Sequence, residues 1–168
     1  MGHPLVLLAG IPASGKSHFG RWLEEQRGFL HLDVEKDGRL ATLRLEGAWT
    51  RCFEMHDVTT FVSQIRAMNR PVLVNWGFPV HCLEIVKQLK SQGLILWWFS
   101  ADPEQAEREF KKRGDVPLAA FERQVTAISQ HWNAIEAVFR PNVVTTLDSL
   151  GSRTDPEELF ESMFGRAV

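Results

Sequence analysis

Cysteine is scarce in this sequence: Cys52 and Cys82 are its only two in 168 residues. Their separation matches no metal-binding spacing. That excludes a zinc ribbon or finger and a disulfide-dense scaffold, and reduced thiols are the simplest reading. His31, His56, His81 and His131 show no ligand spacing either. Long apolar runs are also missing, so no segment reads as a membrane span. The apolar stretch at 5–9 has no basic region before it and runs straight into a glycine loop, unlike a secretory leader. Val6 stands where a myristoylation signal needs Ser or Thr. The expected setting is the cytoplasm, with no membrane partner. Strong charge of either sign is absent, since 19 basic residues stand against 21 acidic ones for a net of −2. That balance speaks against a large nucleic-acid footprint. No N-K-x-D guanine motif, internal repeat or low-complexity segment occurs. What remains is ordinary globular composition, 44% hydrophobic and 24% charged, in a chain long enough for one domain with a real core.

The sharpest feature is GIPASGKS at 10–17. It matches the phosphate-loop pattern G-x-x-x-x-G-K-[ST] at every fixed position. Gly10 and Gly15 permit backbone angles and close approach that a side chain would block. Successive N–H groups of Ile11, Pro12's neighbours Ala13 and Ser14, and the residues through His18 would form an anion nest at a helix start. Lys16 would reach the β- and γ-phosphates of a bound nucleotide, and Ser17 would offer its hydroxyl to Mg²⁺. The flanks agree: an apolar strand at 5–9 before the loop and a helix over 16–27 after it, ending at Gly28.

The rest of the chain alternates strand and helix. Strands are expected at 29–32, with Asp33 just beyond, and at 72–74, 94–99 and 143–147. Residues 34–49 read as an irregular or partly helical insertion. Asp57 would cap a helix carrying Phe61, Val62, Ile65 and Met68. Further helices are expected over 80–92, from Asp102-Pro103 to Arg113, over 117–139, and from Asp155-Pro156 through Phe164. This alternation predicts an α/β fold with a parallel sheet covered on both faces and its ligands at the carboxyl ends of the strands. The phosphate loop, Asp33 and the stretch 75–78 all fall at such ends.

In layout the chain resembles the small P-loop kinases of the nucleoside monophosphate kinase-like group, which includes gluconate and shikimate kinases, chloramphenicol phosphotransferase and polynucleotide kinase domains. The resemblance rests on the phosphate loop after the first strand, an acid after the second and an Arg-bearing helix after the fourth. It implies a three-layer fold with five parallel strands in the order 2-3-1-4-5. It also implies transfer of the γ-phosphoryl of ATP, with Mg²⁺, to a small-molecule acceptor. Asp33 matches the position from which such kinases orient an acceptor hydroxyl and take its proton; Glu35 and Asp37 stand nearby as alternatives. The segment 108–115 resembles the lid, where Arg108 and Arg113 would neutralise charge on the transferred group. Their bland reading is a basic last turn that complements a helix dipole. Asn75 stands where many P-loop proteins place a metal-shell Asp. Two accounts stay open: Asn75 contacts the acceptor while Ser17, phosphates and water hold Mg²⁺, or the chain binds nucleotide without transfer. The acceptor pocket is expected between the insertion at 34–56 and the stretch 76–81, with Trp49, Trp76 and Phe78 either stacking on the acceptor or packing the core. Adenine is expected near 147–151. The rival functions are an ATP-binding regulatory switch and a polynucleotide 5′-hydroxyl kinase.

Overall fold

The structure is a computed structural model that describes residues 2–36, 38–114 and 117–165. Asp37 and Asp115, named above with the candidate base and the lid, lie outside the described residues.

Strand β1 (Leu5–Gly10) is buried at every position. Leu5, Leu7 and Ala9 face one side of the sheet, and Val6 and Leu8 the other, as the two-residue period of a strand requires. A strand apolar on both faces belongs at the centre of a covered parallel sheet, and β1 is central here. With β2 (Leu30–Asp33), β3 (Val72–Asn75), β4 (Ile95–Ala101) and β5 (Val143–Leu147) it forms a five-stranded sheet of order β2-β3-β1-β4-β5. All four pairings are parallel. The fold expected from the alternation is the fold found.

Helices cover both faces. Helix α1 (Lys16–Arg27) and the C-terminal helix α9 (Pro156–Phe164) pack Phe19, Leu23, Leu159 and Met163 against Val6, Leu8, Trp97 and Phe99. The other face carries α3 (Glu46–Met55), α4 (Val58–Ala67), α5 (Leu83–Ser91), α7 (Leu118–Gln130) and α8 (Trp132–Phe139). Here α2 is a single turn, Arg39–Thr42. The insertion is therefore helical, and Leu40, Leu45, Ala48 and Cys52 bury it against the sheet. Asp57 caps α4 as expected, accepting from the Thr60 N–H at 3.3 Å.

Two helix boundaries differ from expectation. The stretch 117–139 is two helices broken at His131, whose N–H is shared between the carbonyls of Ala127 and Ile128, both at 3.2 Å. Its ring also meets the Ala127 carbonyl, at 2.9 Å. Apolar spacing runs through the break because Phe121, Ile128, Ile135 and Phe139 all face the same core. The stretch 80–92 begins as a 3₁₀ turn at Val80–Cys82 before α5. No helix among the described residues is long and apolar enough to cross a membrane.

Candidate functional site

The phosphate loop joins β1 to α1. Gly10 ends β1 beside Phe99 of β4 at φ 154°, and a Cβ there would lie 2.3 Å from the Phe99 carbonyl oxygen. No side chain fits, so glycine is a steric requirement. Gly15 caps α1 in the left-handed region at φ 92° with no side-chain capping bond. The first turn of α1 carries no acid. Its N–H groups and the positive end of its dipole are therefore left for an external anion. The Thr146 hydroxyl of β5 donates to the Ser14 carbonyl at 2.7 Å and pins the loop from the far side.

Lys16 folds over this loop, donating to the carbonyls of Gly10 at 3.0 Å and Ile11 at 2.9 Å. Burial pulls its pKa down to about 8. The nearby carboxylates of Glu35 and Asp33 oppose that pull, while Arg113 and Lys36 add to it.

Ser17, one residue on, points to the ends of β2 and β3. Because β3 lies between β2 and β1, Asp33 and Asn75 are register partners and Asn75 also neighbours Leu8 of β1. The three side chains close a ring. Ser17 Oγ donates to Asp33 Oδ2 at 3.1 Å, and Asn75 Nδ2 donates to Ser17 Oγ at 3.0 Å and to Asp33 Oδ2 at 3.1 Å. The other oxygen, Asp33 Oδ1, accepts the Glu35 N–H at 3.2 Å. Asp33 and Asn75 are 8% and 3% exposed, so Asp33 is a buried carboxylate with both oxygens engaged.

A hydroxyl beside a carboxylate next to an anion nest is the oxygen donor set that suits Mg²⁺, which keeps waters and leans on substrate phosphates. Among the described residues no cluster of three or more His, Cys, Asp or Glu could hold a metal alone. The residues thus fit a metal that arrives with a phosphorylated ligand. Neither thiol competes for a role. Both cysteines are buried and unbridged, and burial pushes Cys52 up to about 12.

Above this ring opens a cavity of about 180 Å³, bordered by Lys16, Asp33, Glu35, Asn75 and Arg113 among others. The Gly77 N–H donates to Glu35 Oε2 at 3.3 Å, and Gln124 Nε2 donates to the Gly77 carbonyl at 3.1 Å. Glu35 is exposed, so its carboxylate faces the cavity without being sealed in it. A larger basic cavity adjoins it through Ser17, Asp33, Lys36 and Arg113; His18, exposed on the first turn of α1, lines that one. Ile11, Pro12, Ala13 and Ser14 form the loop wall, with Ala13 left-handed at φ 63°.

Not every expected residue comes to the site. Arg113 ends helix α6 (Pro103–Arg113), the helix on which a lid was expected, and borders both cavities. Arg108, on the same helix, is exposed and borders none of the cavities described. Trp49 and Trp76, expected at the acceptor, border none of the cavities described. They pack edge to face with ring centres 5.0 Å apart, Trp49 meets Phe61 at 5.1 Å, and Trp76 is 2% exposed. Only the backbone turn after Trp76 reaches the site, through Gly77.

One residue was missed. Arg153 follows β5 and reaches back over the loop, its Nη1 lying 3.1 Å from where a Cβ on Gly15 would be. Its Nη2 is 3.4 Å from Glu109 Oε2 of α6. Hydrogen bonds from Lys112 first, then from Arg153, hold the Glu109 carboxyl below its usual range. The signal was a basic residue just after the stretch 147–151 where adenine was expected, and only the antiparallel bridge between Leu147 and Arg153 turns it toward the phosphate loop.

No protein-family model matches the chain, and no curated protein sequence does. Solved structures do match. A gluconokinase from Sinorhizobium meliloti 1021 aligns over 98% of this chain and 93% of its own, at 15% identity and a TM-score of 0.53. A shikimate kinase from Acinetobacter baumannii, solved in complex with shikimate, aligns over 95% and 90%, at 16% identity and a TM-score of 0.50. Both are P-loop kinases of the group resembled in sequence, and the chain shares their fold.

Proposed function

We propose that the chain is an ATP-dependent phosphotransferase that moves the γ-phosphoryl group to a hydroxyl of a small-molecule acceptor. The observation that carries this reading is the ring of Ser17, Asp33 and Asn75, set between the phosphate loop and an open cavity that Glu35 and Arg113 border. The likeness of fold to small-molecule kinases agrees with it.

The loop N–H groups and Lys16 would hold the β- and γ-phosphates. Ser17 and Asp33 would hold Mg²⁺, which supplies charge neutralisation on the phosphates when bound. Arg113, at the end of the lid helix, adds a planar donor fork for the charge that spreads over the transferred group. The base assignment shifts within the acidic pair. Both oxygens of Asp33 are engaged inside the protein, whereas the Glu35 carboxylate borders the cavity and holds one backbone N–H. Asp33 therefore serves the metal side, and Glu35 orients the acceptor hydroxyl and takes its proton. The segment around α6 acts as the lid, and Arg153 clamps the nucleotide from the β5 side.

The test is ATP turnover with and without a library of hydroxyl acceptors. Acceptor-dependent ADP release, abolished in Lys16→Met, is expected. Asp33→Asn should raise the Mg²⁺ concentration needed for half-maximal rate. Glu35→Gln should lower kcat by 10²-fold or more, at the scale of general-base loss, with the Mg²⁺ requirement unchanged. ATP binding without transfer to any acceptor would make the chain a nucleotide-binding module instead.

A further inference from the structure

The larger cavity beside the site has a volume of about 570 Å³. Its wall carries Arg21, Lys36, Arg39 and Arg113, and Ser17 and Asp33 close its inner end. Four basic side chains and one acidic one thus line the cavity, in a chain whose net charge is −2. That carboxylate is already engaged by Ser17 and Asn75. Arg39 is fixed in place, 2.5 Å from Glu24 Oε1 and 3.2 Å from the His31 carbonyl. Among the described residues, Arg21, Lys36 and Arg113 have no carboxylate within ion-pair distance. Like charges gathered around one hollow repel each other, and a bound polyanion relieves that repulsion.

The floor is also shaped. The His31 ring lies under Gly20 of α1, where a Cβ would stand 2.4 Å from its Nε2. Gly20 is buried and helical, so its missing side chain serves the ring and not the backbone. The cavity is lined by α1 and α2 residues and shares no lining residue with the 440 Å³ hollow formed by Pro79, Val80, His81 and Arg123.

We propose that this basic cavity is an acceptor subsite for a phosphate group, so that the acceptor is a small phosphomonoester that also bears a free hydroxyl. The proposal rests on the phosphotransferase reading above and narrows its substrate class. Guanidinium forks match a phosphate dianion in shape and charge, and the volume suits a small ligand. An extended nucleic-acid strand fits less well, because Glu24 beside Arg39 and Glu35 at the inner cavity set negative charge along its path. In the transfer the acceptor oxygen bonds to the γ-phosphorus, the bond from that phosphorus to the β,γ-bridging oxygen breaks, and ADP leaves. The hydroxyl proton passes to Glu35 and then to water.

The experiment has two arms. In the first, inorganic phosphate is titrated into ADP-saturated protein, wild type against Arg21→Gln and Lys36→Gln. Both side chains are exposed, and unchanged urea midpoints confirm intact folds. Phosphate affinity should fall about tenfold or more in each variant, the effect of one lost charged contact. Affinity unchanged in both variants overturns the subsite. In the second arm, transfer from ATP is measured into pentose and hexose monophosphates, their unphosphorylated parents and 5′-hydroxyl oligonucleotides. The monophosphates should be preferred about hundredfold in kcat/KM over their parents. Arg21→Gln should raise KM for them about tenfold while leaving KM for ATP within twofold. Equal use of the parents, or preference for the oligonucleotide, overturns the proposal. Arginine-dependent phosphate binding with no transfer to any acceptor would sink the phosphotransferase reading and leave the anion site standing.

Discussion

Asn75→Asp turns the central hydrogen-bonded ring into a measurable pH response. Asn75 Nδ2 lies 3.1 Å from Asp33 Oδ2, in a place where Asp33 is 8% exposed and Asn75 3%. A carboxylate at 75 would bring two negative oxygens to about that separation. If both stayed ionised, their repulsion at an effective dielectric of 20 would be on the order of 5 kcal/mol. Holding one proton on the pair avoids this. From an unfolded carboxyl pKa near 3.9, that costs about 4 kcal/mol at pH 7. Protonation is the lesser cost, so the pair keeps its proton and titrates as a unit. The folded pKa is then raised above the unfolded one, and the folded state binds more protons across pH 4 to 7. Stability must fall as pH rises through that window. The loss relative to wild type should be about 2.7 kcal/mol larger at pH 7 than at pH 5, two pH units at 1.36 kcal/mol each. Urea unfolding at the two pH values reads this directly. Asn75→Ala is the control: it removes two donors and should lose about 1–3 kcal/mol equally at both. Mg²⁺ at pH 7 should restore part of the stability of Asn75→Asp and none of that of Asn75→Ala. If the loss in Asn75→Asp were the same at pH 5 and pH 7, the claimed closeness of the two side chains would be wrong.

Two further outcomes follow from the loop. Lys16 titrates near 8 in the free protein, and a bound polyphosphate favours its charged form, so ADP affinity is full below that pH and falls above it. Kd for ADP should rise about tenfold from pH 7 to pH 9, while Lys16→Met binds weakly with a flat profile; a flat wild-type profile would refute the assignment. Gly10→Ala would drive a Cβ to 2.3 Å from a backbone oxygen that no rotamer change can move. It should lose about 3 kcal/mol by urea unfolding. Gly28→Ala, with nothing within 4 Å of its Cβ, should lose only the left-handed strain, about 1 kcal/mol.

Much of the molecule was legible in the chain because short-range physics writes it there. The wholly apolar β1 announces a central strand, and the glycines of the loop announce the anion nest. The sequence DP at 102–103 and 155–156 starts two helices where their caps predict, with Asp102 and Asp155 accepting from Gln105 and Glu157. The break at His131 was hidden because the apolar period of the two helices is continuous. Trp49 and Trp76 could not be assigned from sequence either, since an aromatic residue reads alike whether it stacks on a ligand or fills a core. The core holds Trp76, and Trp49 packs half-buried against it.

The amino-acid order alone determined the phosphate loop, the alternation of strand and helix, and hence the parallel sheet. Those depend on residues within a turn or two of one another. The site itself depended on strand order. Placing β3 between β2 and β1 brings Asn75 to Asp33 across 42 residues and to Ser17 across 58. The same packing aims Arg153 at a loop more than a hundred residues earlier and gathers Arg21, Lys36, Arg39 and Arg113 around one hollow. No local pattern encodes such meetings, because they arise only when burial of both sheet faces fixes which strand ends lie side by side.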